Sequence, residues 1–151
     1  MELTLNNVVK KCCDYYHTGG FAISDDAPNT FEDLKQFVND HGYYEVYNGG
    51  CDHTIYDDPQ TNYAFRAWHD YHHVTKNLDF TPLNEMKVVL LQIQDIYNLF
   101  GVNDKTIEIA NIIYADGIGQ VEYFEKYNDF PIDQKAFVND YLITKKIHKE
   151  F

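Results

Sequence analysis

Asn62-Tyr63-Ala64-Phe65-Arg66-Ala67-Trp68-His69-Asp70-Tyr71-His72-His73 and, a short turn later, Thr81-Pro82-Leu83-Asn84-Glu85 read as the starts of two amphipathic helices. The helices are expected over 61–76 and 82–99, joined at Asn77 to Pro82. Pro82 directly after Thr81 is a helix-start signal, because proline at the first helical position gives up only an N–H that would be unpaired anyway. Arg66 is the only arginine of the chain and Trp68 the only tryptophan. The first helix carries Arg66, His69, Asp70 and His73 as one polar stripe. The second sets Leu83, Met86, Val89, Leu90, Ile93, Ile96 and Phe100 on an apolar arc. Glu85 and Gln92 fall between those groups, where a plain core helix would be apolar.

Outward from this pair, Leu5, Val8, Val9, Cys12, Tyr15 and Tyr16 recur at helical spacing, and Gly19-Gly20 ends that helix. Thr30 or Asn29 caps a second helix bearing Phe31, Leu34, Phe37 and Val38, stopped at His41-Gly42. Tyr43 to Tyr47 and Thr54-Ile55-Tyr56 flank Asn48-Gly49-Gly50, the pattern of a short β-hairpin. A long helical pattern runs from Asp104 to about Tyr127, interrupted near Gly117-Ile118-Gly119, where the glycines kink it or admit another backbone. A last helix is expected near 132–148 after Phe130-Pro131. The expectation is a mostly α, single-domain helical bundle over 1–151. Its N-terminal helices fall within 3–41, one short hairpin near 43–56, and the core helices within 61–148.

The chain has 151 residues, enough for one domain with a real core, and carries a net charge of −12. Phosphate backbones select cationic surfaces, so direct nucleic-acid binding is not expected. No apolar run approaches the roughly 18 residues a membrane span requires. The opening Met1-Glu2-Leu3-Thr4-Leu5-Asn6-Asn7 lacks the apolar core of a signal peptide. Three cysteines, with Cys12 and Cys13 adjacent, fit a reducing compartment and read as buried thiols. Cys51 and His53, with His17, form a weaker candidate metal set. A homo-oligomer is left open.

The chemistry concentrates on the central helices. Residues four apart on an α-helix lie only about 40° apart, so His69 and His73 stand one turn above the other and can hold one metal ion. His69-Asp70-Tyr71-His72-His73 has the form of the His-Glu-x-x-His of zinc peptidases, with Asp70 one methylene shorter than the usual glutamate. A glutamate as deep as Glu85 costs several kcal/mol unless it is paired, protonated or metal-bound. Asp116 and Gln120 repeat the pattern among Ile109, Ile112, Ile113, Tyr123 and Phe124.

Two readings follow. In one, Arg66 and the histidines hydrogen-bond Glu85 and Asp116 and fix helix register without an ion. In the other, His69, His73 and Glu85 ligate a divalent metal (zinc, iron or manganese), with Asp116 or Asp70 as fourth ligand or orienting group. Gln92 and Gln120 then support the ligands. Water activated by such a metal makes hydrolysis the expected reaction class. Arg66 would grip a phosphate or carboxylate of a small-molecule substrate, unless it only pairs with Asp70 one turn on. His41, His69-Asp70 and Asp129 or Asp140 are also spaced somewhat like the metal ligands of HD-domain phosphohydrolases.

The run from Asn62 to His73 resembles a group of small bacteriophage proteins of unassigned function carrying Phe-Arg-x-Trp-His-Asp-x-x-His. Asp79-Phe80 through Glu85, Gly119-Gln120 and Phe130-Pro131-Ile132-Asp133-Gln134 share in the resemblance. It implies a phage gene product acting in the cytoplasm of an infected bacterium, and it lends no reaction. Two functions are therefore expected in competition. One is a small metal-dependent hydrolase of a phosphorylated or nucleotide-like molecule. The other is a non-enzymatic acidic protein that binds and inhibits a host protein.

Overall fold

The computed structural model describes residues 2–151 and shows a mostly helical single-domain architecture. Helix α1 (Leu5–Tyr16) starts at Thr4, whose hydroxyl accepts the Asn7 N–H at 3.2 Å. Helix α2 (Phe31–His41) is capped in the same way by Thr30 and ends at Gly42, whose φ of 76° takes the left-handed conformation that releases the chain. Helix α3 (Pro59–Thr75) follows the Asp58 cap, and α4 (Pro82–Phe100) begins on the expected proline. Helix α5 (Asp104–Tyr114) opens with a reciprocal cap between Asn103 and Thr106. A π-helical turn, Ala115–Gly119, joins it to α6 (Gln120–Tyr127), and α7 (Gln134–Thr144) closes the bundle.

The expected hairpin is corrected. Residues Glu45–Tyr47 do form a strand, β2, but its partner is Ala22–Ser24, β1, in a parallel pair with Ala22 opposite Glu45. The 54–56 segment is turn, and it sends Tyr56 into the core with 2% of its surface exposed. Arg66 explains why the turn signal at 48–50 closes no hairpin. Its guanidinium donates to the carbonyl oxygens of Tyr47 and Gly49, both at 2.6 Å, and fastens the loop to α3. Helix α2 supplies the crossover that a parallel pair needs.

One apolar cluster joins Val8, Val9, Cys12 and Cys13 of α1 to Ala64, Ala67 and Trp68 of α3, Val89 and Ile96 of α4, and Ile109 and Ile113 of α5. Both α1 thiols are buried, as expected, and burial raises them well above their ordinary titration range. A second cluster holds Ala115, Tyr123, Phe137, Val138 and Tyr141. No helix among the described residues is long and apolar enough to cross a membrane.

The interruption near Gly117 is the π turn. A Cβ at Gly117 would lie 2.4 Å from Val89 Cγ2 and 2.9 Å from Cγ1, so the turn rests directly on the β-branched side chain of α4. Val89 is stiff at χ1 and is itself buried, so it has little room to yield. Gly117→Ala is therefore expected to lower stability by about 1–3 kcal/mol in urea unfolding. Adding Val89→Ala should recover part of the loss, so that the double variant is more stable than the two single effects summed.

Candidate metal centre

Helices α3 and α4 face each other through His69, His73 and Glu85. His69 Nε2 lies 2.9 Å from Glu85 Oε2, and His73 Nε2 lies 3.2 Å from Glu85 Oε1. The two Nε2 atoms are 3.0 Å apart. Among the described residues this is the group whose histidine, cysteine or carboxylate atoms converge closely enough to hold an ion.

The other ring nitrogens are already committed. Asn77 takes a positive φ of 52° just past α3, which folds the chain back so that the Leu78 N–H reaches the His73 carbonyl. The Leu78 carbonyl then accepts the His73 Nδ1–H at 2.6 Å. Gln92, fully buried two turns along the same face of α4 as Glu85, places Oε1 2.8 Å from His69 Nδ1. Its Nε2 is buried with no protein partner. Phe65 stacks on the His69 ring with centroids 5.8 Å apart, and Phe80 meets His73 edge-on at 4.7 Å. Each Nδ1 is thus engaged away from the carboxylate, and each Nε2 is turned toward it.

Three electron-pair donors aimed at one point require positive charge between them, either a proton or a metal cation. Burial penalises charge on both His69 and Glu85, yet their mutual contacts win. Burial alone would lower His69, but Glu85 beside it holds it above its ordinary value. Burial alone would raise Glu85, but hydrogen bonds from His69 and His73 bring it to about 2.

Asp116 does not enter this converging group. The π turn places it on the same cavity, 8% exposed, where it accepts from Tyr56 Oη at 3.1 Å and from Gln120 Nε2 at 2.7 Å. Burial, only partly offset by those two bonds, raises it to about 6. Asp70 is also raised to about 6, first by burial. Arg66 makes no ion pair with Asp70; among the described residues no carboxylate lies within salt-bridge distance of it.

Two cavities meet at the centre and share Phe65, Arg66, His69 and Phe80. One, of about 470 Å³, runs toward Asp116 and α6, and the other, of about 550 Å³, runs toward β2, Asp25 and Asp70. Both fall in the size range of small-molecule sites, roughly 300–1,000 Å³.

The weaker metal sets are not assembled. His17 is buried against the Ala67 carbonyl at 2.7 Å, while Cys51 accepts the Asn62 amide at 3.3 Å, so neither converges with His53. His41 is exposed against Phe37, Asp129 is exposed, and Asp140 pairs with His148 at 2.8 Å, which removes the HD-domain spacing as a site.

A second buried acid, Asp95, was not apparent in the sequence. It accepts from Tyr16 Oη at 2.6 Å, Trp68 Nε1 at 2.8 Å and His72 Nε2 at 2.6 Å, tying α1, α3 and α4 together. The signal was its place seven residues after Val88, on the inward side of α4. Burial opposes its charge, but the bonds from His72, Tyr16 and Trp68 hold it below the usual carboxylate range. A carboxylate with a depressed folded pKa contributes stability above its unfolded value, about 3.9, and loses it as pH falls through the folded value. Asp95→Asn is expected to cost about 1–3 kcal/mol at pH 7. The gap between wild type and variant should shrink on acidification below about pH 4, read by urea unfolding at each pH.

Compared with known proteins, the chain matches no family profile, no curated protein and no solved structure.

Proposed function

We propose that this protein is a metal-dependent hydrolase of a phosphorylated or nucleotide-like small molecule, working in the infected bacterium to which the phage resemblance points. The observation that carries the reading is the convergence of two Nε2 atoms and the Glu85 carboxylate, with each Nδ1 hydrogen-bonded elsewhere. Histidine ligands of metals are held in this way, the far ring nitrogen donating to a carbonyl or carboxylate. The spacing fits too. Ligand atoms 2.0–2.1 Å from a tetrahedral ion stand about 3.3 Å apart, and those here are 2.9 to 3.2 Å apart, so a slight opening admits the ion.

His69, His73 and Glu85 would hold zinc, iron or manganese, and three protein ligands are what catalytic zinc sites use. The metal supplies Lewis acidity and a water acidified toward neutral pH. Arg66, free of carboxylates and lining both cavities, binds the anionic group of the substrate. Asp70, raised to about 6, is suited to take up a proton near neutral pH.

Metal analysis of protein purified without a histidine tag tests this. About one equivalent of metal is expected, lost in His69→Ala and in Glu85→Ala. Affinity for added zinc should fall as pH drops through the raised His69 value, because a protonated imidazole has no lone pair to give. Absence of metal, with both variants folded as wild type, would overturn the reading.

That outcome would favour the second function, a non-enzymatic acidic protein that occupies a host factor. The groove formed by Asp25, Asp26, Asp33, Asp40 and Glu45 supports it. A host protein captured at low salt and released at high salt is its expected signature.

A further inference from the structure

The cavity beside the metal centre has a lining of two kinds, aromatic and polar. Phe65, Phe80, Phe124 and Phe130 supply its aromatic walls, with the Phe124 and Phe130 rings 4.8 Å apart and inclined by 31°. Asp116, Gln120 and Arg66 supply polar groups to the lining, with Gln120 Nε2 donating to Asp116 Oδ1 at 2.7 Å. Aromatic walls of this kind accept a flat ring.

Asp116 carries the argument further. A carboxylate has about four acceptor positions, and Asp116 uses one on each oxygen, Oδ2 for Tyr56 and Oδ1 for Gln120. Each oxygen keeps a second lone pair, and the residue lines the cavity with no lysine or arginine paired to it. Two adjacent acceptors in an apolar enclosure suit two adjacent N–H donors on a planar ligand. They repel a phosphate, which Arg66 instead attracts. The fold goes out of its way to present them: Asp116 sits on a π turn, a form concentrated at functional sites, and glycine at 117 allows that turn to press on Val89.

We propose that this cavity binds a planar nitrogen heterocycle through an edge bearing two neighbouring N–H donors, as in guanine, and that Asp116 reads that edge instead of ligating the metal. The proposal rests on the nucleotide-like reading above and names the base of that substrate.

Calorimetric titration with guanosine, inosine, adenosine and uridine tests it, since neutral nucleosides take the phosphate out of the comparison. Each is titrated into wild type, Asp116→Asn and Val121→Trp, the last adding bulk to the cavity lining. Guanosine is expected to bind with Kd below about 1 mM. Inosine, lacking the amino donor, should bind at least about tenfold more weakly, and Asp116→Asn should weaken guanosine by a similar factor. Val121→Trp should abolish binding. Circular dichroism and zinc stoichiometry should stay at wild-type values in Asp116→Asn. Equal affinity for guanosine and inosine, equal affinity in wild type and Asp116→Asn, or no nucleoside binding to wild type would overturn the proposal. Guanosine bound by a protein that takes no zinc would leave this pocket standing and sink the metal centre; zinc bound with no nucleoside would do the reverse.

Discussion

Two imidazole nitrogens and a carboxylate cannot share 3 Å of space unless positive charge lies among them. An ordinary histidine escapes such a conflict by moving its proton to the other ring nitrogen. Here the Leu78 carbonyl, which can only accept, closes that exit for His73, while the Gln92 amide faces Nδ1 of His69. The constraint links a turn, a helix and the core. The Asn77 backbone aims the Leu78 carbonyl, Gln92 holds its place within α4, and Phe65 and Phe80 fix the ring planes. The packing of α3 on α4 therefore brings two imidazoles and a carboxylate together, and the cavities open at the same point.

Four carboxyl groups near or inside the core show how environment divides one chemistry into several roles. Asp95 receives three donors and stays ionised below the usual range. Glu85, facing two imidazoles, falls to about 2. Asp116 has only a phenol and an amide and rises to about 6, as does Asp70, where burial is the largest cause. The number and charge of the facing donors set the order. The first two behave as fixed anions that organise helices; the latter two stand near neutrality, where a proton or a ligand decides their state.

These differences mark what a linear reading of the chain reaches. Helical periodicity exposed Glu85 and Gln92 as polar breaks in an apolar arc, and the four-residue spacing brought His69 and His73 together, since both signals are local. The helix starts at Thr30 and Pro82 were legible for the same reason. The pairing of β1 with β2 was not, because the two strands are separated by the whole of α2 and no turn signal joins them. Arg66 looked like a partner for Asp70, but its true acceptors are backbone carbonyls with no residue-type signature. Asp95 escaped notice because its donors, Tyr16 on α1 and Trp68 and His72 on α3, lie far from it in sequence.

The π turn was visible only as a pair of glycines, yet it governs the register of everything after it. An extra residue in a helical turn rotates the following segment by about 100°. Before the turn, Ile109 and Ile113 serve the first cluster; after it, Tyr123 serves the second. Asp116 sits at the changeover, where neither cluster claims its side chain and the cavity does. An uninterrupted α-helix from Asp104 to Tyr127 would keep one face toward one cluster along its whole length. The chain instead keeps a wider turn, two residues without side chains and a buried carboxylate supported by two neutral donors. The turn re-aims the helix from the first cluster to the second, packs Gly117 on Val89 and Gly119 on Phe137, and leaves Asp116 on the cavity lining with neutral donors alone.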